Sequence, residues 1–133
     1  GGLVGCEVAL NFVRKGHEVK IVEFLDGILK SGAPTPIMNR LCLEDMFEEL
    51  NVEVLTSSAL TGVNDNGAVI RHNGEEVEVK ADTVILAVGL RSRPSFAPEL
   101  EKYSIEAYSI GDERAVANIY NATSNGYEVG RSI

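Results

Sequence analysis

Cysteine is scarce in this chain and long apolar runs are missing, and each shortage removes a class of function. Cys6 and Cys42 form no C-x-x-C pair, so no redox-active disulfide is encoded in this stretch. Both read as small buried hydrophobes in a reducing compartment. The apolar runs are strand-sized, well short of the ~20 residues that a membrane-spanning helix needs. No signal peptide is visible, and a cytoplasmic setting is expected. Positive charge is also in deficit, with 12 basic against 20 acidic residues and a net charge of −8. The deficit is even: residues 1–60 carry five basic and nine acidic residues, and residues 61–133 seven and eleven. Nucleic acid and anionic membrane surfaces are therefore not expected partners. The two histidines, His17 and His72, have no metal-like or nucleophile-like neighbour in sequence and read as surface residues. No metal site is expected, and no internal repeat or low-complexity tract is visible.

Glycine, by contrast, is placed with a pattern. With 133 residues and 44% hydrophobic composition, the chain is one domain, or one domain and part of another. It opens on Gly1-Gly2-Leu3-Val4-Gly5-Cys6-Glu7. Gly2 and Gly5 fit the second and third glycines of a G-x-G-x-x-G dinucleotide fingerprint, with Gly1 as its first variable position. On this reading the sequence is a fragment whose first glycine and first strand lie upstream. Gly2 would let the backbone approach a pyrophosphate, and Gly5 would let the new helix pack closely on its strand. The N–H groups around Leu3 and Val4, with the positive end of the helix dipole, would face the phosphates. Many turn-to-helix junctions also need glycine, so the pair alone leaves both readings open.

The residues that follow favour the nucleotide. Val4, Val8, Phe12 and Val13 recur at helical spacing to Lys15, and Gly16 ends the helix as a left-handed cap would. Val19 to Phe24 reads as a strand closing near Glu23, about 20 residues beyond the fingerprint, where a carboxylate can accept the hydrogen bonds of an adenosine ribose. A carboxylate there repels a 2′-phosphate, so the cofactor expected is NAD(H) rather than NADP(H). Leu25–Pro36 reads as a loop. Ile37–Leu50 reads as a helix with Ile37, Leu41, Met46, Phe47 and Leu50 on one side, and Val52–Thr56 as a short strand. Three short alternating runs, Leu60–Val63, Ala68–His72 and Val77–Val79, are separated by Asp65-Asn66-Gly67 and Asn73-Gly74, which predicts an antiparallel meander. Asp82–Gly89 reads as a parallel strand covered on both faces. Leu90–Pro98 reads as a crossover, Tyr108–Asp112 as another strand, and Ala115 onward as an amphipathic helix with Ala122 and Gly126 on one line.

Taken in order, GGLVGCEVAL, GHEVKIVE, the meander, ADTVILAVGLRSRP, and IGD followed by NGYEVGRSI resemble a known region. It is the second dinucleotide-binding region of the two-dinucleotide-fold flavoproteins, and especially the C-terminal part of the NADH:flavin oxidoreductases of the old yellow enzyme, 2,4-dienoyl-CoA reductase and 2-enoate reductase type. The resemblance implies an α/β, Rossmann-like FAD/NAD(P)-binding fold with a parallel sheet and a small antiparallel meander, its first strand missing. Residues 1–90 would be the NAD(H) domain, and residues 91–133 the crossover and return of the chain to the FAD domain. The site residues it implies are Gly1, Gly2, Leu3, Val4, Gly5, Glu23 and Gly89 for NAD(H), and Gly111 with Asp112 for FAD. An ordinary helix N-cap is the other reading of Asp112. FMN and an iron–sulfur cluster would belong to an N-terminal barrel. Two departures stand out: Glu113 occupies the family's cysteine position, and Val116 stands where a proline is usual. The implied function is to hold NADH for hydride transfer to flavin in the intact enzyme, with this fragment alone inactive and prone to self-associate through the gap left by its first strand. The alternatives are a region of an NADH oxidase or disulfide-reductase-type flavoprotein, and a non-catalytic nucleotide-binding module.

Overall fold

The computed structural model describes residues 1–32 and 34–133; Ala33, inside the Leu25–Pro36 loop, lies outside the described residues. The chain forms two compact units, Gly1–Val88 and Gly89–Ile133.

The first unit begins with helix α1, Leu3–Arg14. Its C-terminus is closed by Gly16 at φ +87, the left-handed conformation that glycine adopts without penalty. The Gly16 N–H bonds to Val13 O at 3.0 Å and the His17 N–H to Phe12 O at 3.2 Å, which satisfies carbonyls that the helix end leaves open. The chain then enters strand β1, Lys20–Val22. Helix α2, Ile37–Glu49, leads into strand β2, Glu53–Leu55. β1 and β2 pair in parallel, Ile21 opposite Val54, as a two-residue-periodic apolar strand joined by a helical crossover should. Strands β3 (Ser58–Asn64), β4 (Gly67–His72) and β5 (Glu75–Lys80) form the antiparallel meander. Asn73 at φ 52 and Gly74 at φ 85 make the two-residue turn between β4 and β5.

The core of this unit joins Cys6 and Ala9 of α1, Ile21 of β1, Ile28 and Leu29 of the following loop, and Leu43 and Phe47 of α2. This differs from the apolar lines read from spacing. On α1 the buried line runs through Cys6 and Ala9, while Val4 is exposed. On α2 it runs through Leu43 and Phe47, one turn apart, whereas Ile37, Leu41 and Leu50 are exposed. Apolar residues are spread around α2, so spacing alone admits several faces and only packing against α1 selects one. Cys42, expected to be buried, is exposed.

Asp82–Gly89 is not a strand. Its apolar composition gives it an extended habit, but among the described residues no strand pairs with it, and a strand exists only through its neighbour. Ile85 and Leu86 are exposed and Val88 is 84% exposed, the reverse of the double coverage expected from the run.

The second unit contains helix α3 (Ala97–Glu101), a 3₁₀ turn at Gly111–Glu113 and helix α4 (Ile119–Ser132). Tyr108–Asp112, read as strand, has no ladder partner among the described residues: Tyr108–Ile110 is irregular, and Gly111 and Asp112 fall in the 3₁₀ turn. The last helix starts at Ile119 rather than Ala115, because Asn118 caps it by accepting the Asn121 N–H at 3.0 Å. Ser95 and Ser109 share a hydrogen bond of 2.7 Å, and Glu113 accepts the Phe96 N–H at 3.4 Å, so short polar contacts rather than a core tie this unit together. Among the described residues no helix is long and apolar enough to cross a membrane.

Candidate functional site

The glycine turn presents an uncapped helix end. Gly2 occupies the N-cap of α1 without a side-chain hydrogen bond, and no acidic residue stands in the first turn. The first intrahelical bond is Cys6 N–H to Gly2 O at 3.0 Å. The N–H groups of Leu3, Val4 and Gly5 therefore have no acceptor inside the helix, and they carry the positive end of its dipole.

The three glycines differ in what they border. A Cβ on Gly5 would stand 3.2 Å from Ala87 Cβ, so its lack of a side chain lets α1 lie close to the 82–89 segment. A Cβ on Gly2 would stand 3.2 Å from Ser31 Oγ and otherwise in open space. A Cβ on Gly1 would stand 2.9 Å from Glu23 Cβ, closer than the nearest neighbour of Gly2 or Gly5, although the fingerprint leaves this position variable.

Glu23 follows β1 directly and continues its pairing, its N–H bonding to Leu55 O at 2.9 Å. It is only 8% exposed. Its Oε1 accepts the Leu25 N–H at 2.7 Å, and its Oε2 lies 3.0 Å from the Gly1 nitrogen. Burial pushes its pKa up, but the Leu25 N–H, the Gly1 nitrogen and the Phe24 N–H outweigh burial and hold the carboxyl below the ordinary carboxylate value. The side chain is thus an anchored, ionised acceptor beside the glycine turn. Cys6 lies beneath the turn, its Sγ donating to Gly1 O at 3.3 Å. Burial first, and then the nearby Glu23 and Glu7 carboxylates, raise its pKa against the opposing Gly1 amino group, which keeps the thiol protonated.

Gly1, Gly2, Leu3, Val4, Gly5 and Glu23 are therefore brought together. Gly89, Gly111 and Asp112 belong to the second unit. Gly89 has φ +87 and Gly111 φ +59, and both need glycine for their backbone conformation. Asp112 is not the cap of α4, since Asn118 fills that place; its Oδ1 accepts the Ala117 N–H at 3.3 Å. Sequence reasoning missed Ile28, Leu29 and Ser31, which sit in a segment whose glycines and prolines read simply as loop. The apolar pair Ile28-Leu29 inside it was the available signal.

A cavity of about 370 Å³ between the parallel pair and the meander is lined partly by Lys20, Glu53, Ile70 and His72. Lys20 and Glu53 are the first residues of β1 and β2, and nucleotides bind outside the carboxyl ends of such strands. His72 is also occupied, its Nδ1 lying 2.6 Å from Oγ of the buried Ser58. Among the described residues no group of three or more His, Cys, Asp or Glu could hold a metal ion. The glycine turn fits a dinucleotide better: a side-chain-free Gly2 bordered by Ser31 Oγ, three N–H donors with no acceptor inside the helix, and a carboxylate at one strand end.

Comparison with known proteins shows the family. The family described as pyridine nucleotide-disulphide oxidoreductase matches residues 1–124. Cinnamate reductase of Clostridium sporogenes is 38% identical over 133 residues, which is 100% of this chain and 20% of that protein. NADH oxidase of Thermoanaerobacter brockii is 32% identical over 131 residues, 97% of this chain and 20% of that protein. Among solved structures, a 2-naphthoyl-CoA reductase in complex with 2-naphthoyl-CoA superimposes with a TM-score of 0.81 at 29% identity, over 100% of this chain and 20% of that one. The chain thus spans about a fifth of the length of these relatives.

Proposed function

The chain belongs to the pyridine nucleotide-disulphide oxidoreductase family, and from that premise we propose that it holds NADH for hydride transfer to a flavin within an NADH:flavin oxidoreductase of the old yellow enzyme type. The bound cofactors supply the redox chemistry, and the protein supplies orientation and electrostatics. In this reading residues 1–90 serve NAD(H), and residues 91–133 serve FAD through Gly111 and Asp112. The Leu3, Val4 and Gly5 N–H groups hold the diphosphate. Glu23 accepts hydrogen bonds from the adenosine ribose and repels a 2′-phosphate. The electrons pass to an activated alkene, a substrate class suggested by the resemblance to cinnamate reductase.

The observation that carries the reading is the buried Glu23 carboxylate, held by the Leu25 N–H at 2.7 Å where β1 ends beside the glycine turn. Glu23→Arg in the intact protein is expected to weaken NADH about tenfold or more and to narrow or reverse its advantage over NADPH, because it removes an ionised acceptor and adds a phosphate-binding cation. Stopped-flow flavin reduction with each nucleotide checks this. An unmodified protein that already prefers NADPH contradicts the assignment.

A further inference from the structure

The loop after β1 turns back over the glycine turn and is fastened there. Ile28 and Leu29 are buried in the same core as Cys6, Ala9 and Ile21. The Leu29 N–H donates to Gly1 O at 2.7 Å. Leu29 itself has φ +58, a left-handed backbone that a branched side chain rarely adopts, so the loop is held in one particular path. Along that path Lys30 is engaged by Asp26 at 3.1 Å, and the next residue brings a hydroxyl to the turn. Ser31 Oγ lies 3.2 Å from the place a Cβ on Gly2 would take, and among the described residues it is the one neighbour of that place within 4 Å beyond the adjoining chain.

That place matters because the missing side chain at this glycine is what allows a diphosphate to approach the backbone. The space is therefore bordered by a polar atom from a separate segment of chain. We infer that Ser31 is a further ligand of the dinucleotide, donating its O–H to a diphosphate oxygen alongside the N–H groups of Leu3, Val4 and Gly5. The inference rests on the NADH reading above and adds a division of labour to it. Glu23 recognises the ribose, and Ser31 recognises the phosphate. Because Asp26 engages Lys30, the loop contributes a directional neutral donor rather than a free cation.

The division gives a test that a merely structural serine would fail. In the intact protein, Ser31→Ala and Ser31→Thr are titrated with NADH and with adenosine, which has the ribose but no phosphate. Loss of one hydrogen bond to a charged oxygen is expected to raise the NADH Kd of Ser31→Ala about tenfold, leave adenosine binding unchanged, and leave Ser31→Thr close to the unmodified protein. Ser31→Ala binding NADH as tightly as the unmodified protein overturns the assignment of Ser31 and leaves the NADH reading standing. An equal loss for adenosine and NADH also overturns it, since the loop would then only support the ribose. An unmodified protein that binds neither compound overturns both readings together.

Discussion

At the scale of the residue, Glu23 has the most distinctive environment in the first unit. Its carboxylate is nearly buried, and in this 133-residue chain the Leu25 and Phe24 N–H groups together with the free Gly1 amino group favour the charged form more than burial opposes it. A folded-state pKa below the unfolded one means that Glu23 contributes stability above the ordinary carboxylate range, and that the contribution disappears as pH falls through the depressed value. The difference in melting temperature between this 133-residue chain and its Glu23→Gln variant is therefore expected to be largest near neutrality and to shrink in acid. Thermal melts across that range check it; a difference that grows on acidification contradicts the pKa direction. Glu23 could be singled out in the sequence because the proposed role depends on distance along the chain from a glycine turn. Gly1 was legible only as a fingerprint position, because the steric demand comes from the Glu23 side chain, across a strand.

At the scale of the element, period and end signals located the helices and hairpins, and packing decided the faces. Gly16 closes α1 as a left-handed cap, and Asn73-Gly74 turns β4 into β5, since both depend on backbone conformations that a few residue types favour. The faces of α2 were harder to read. Phe47 is 2% exposed, sits one turn from the buried Leu43, and shares a core with Cys6 and Ala9 of α1 and Ile21 of β1. Phe47→Ala is expected to destabilise the first unit by about 3–5 kcal/mol through lost burial and a residual cavity. The exposed Leu41→Ala is expected to cost well under half of that. Denaturant unfolding of both variants checks the order, and equal losses contradict the assigned face. Asp82–Gly89 and Tyr108–Asp112 were misread for a common reason. Composition favours extended backbone, but a strand also needs a partner, and neither segment has one among the described residues.

At the scale of the whole molecule, the two units present different problems. Gly1–Val88 has its own core, a parallel pair, a meander and a glycine turn at the start of α1. Gly89–Ile133 has no buried residue in α3 or α4 among those described, and its order comes from caps and serine contacts. The family membership was legible because its motifs are carried by glycines and strand ends in fixed order. The Ser31 wall was not, since a loop's path depends on which of its side chains the core accepts. The most direct test of the account is a crystal structure of the intact protein soaked with NADH. The account predicts adenosine ribose oxygens within hydrogen-bond distance of the Glu23 carboxylate and the diphosphate at the N–H groups of Leu3, Val4 and Gly5. Nucleotide bound elsewhere, or adenosine lying away from Glu23, contradicts it.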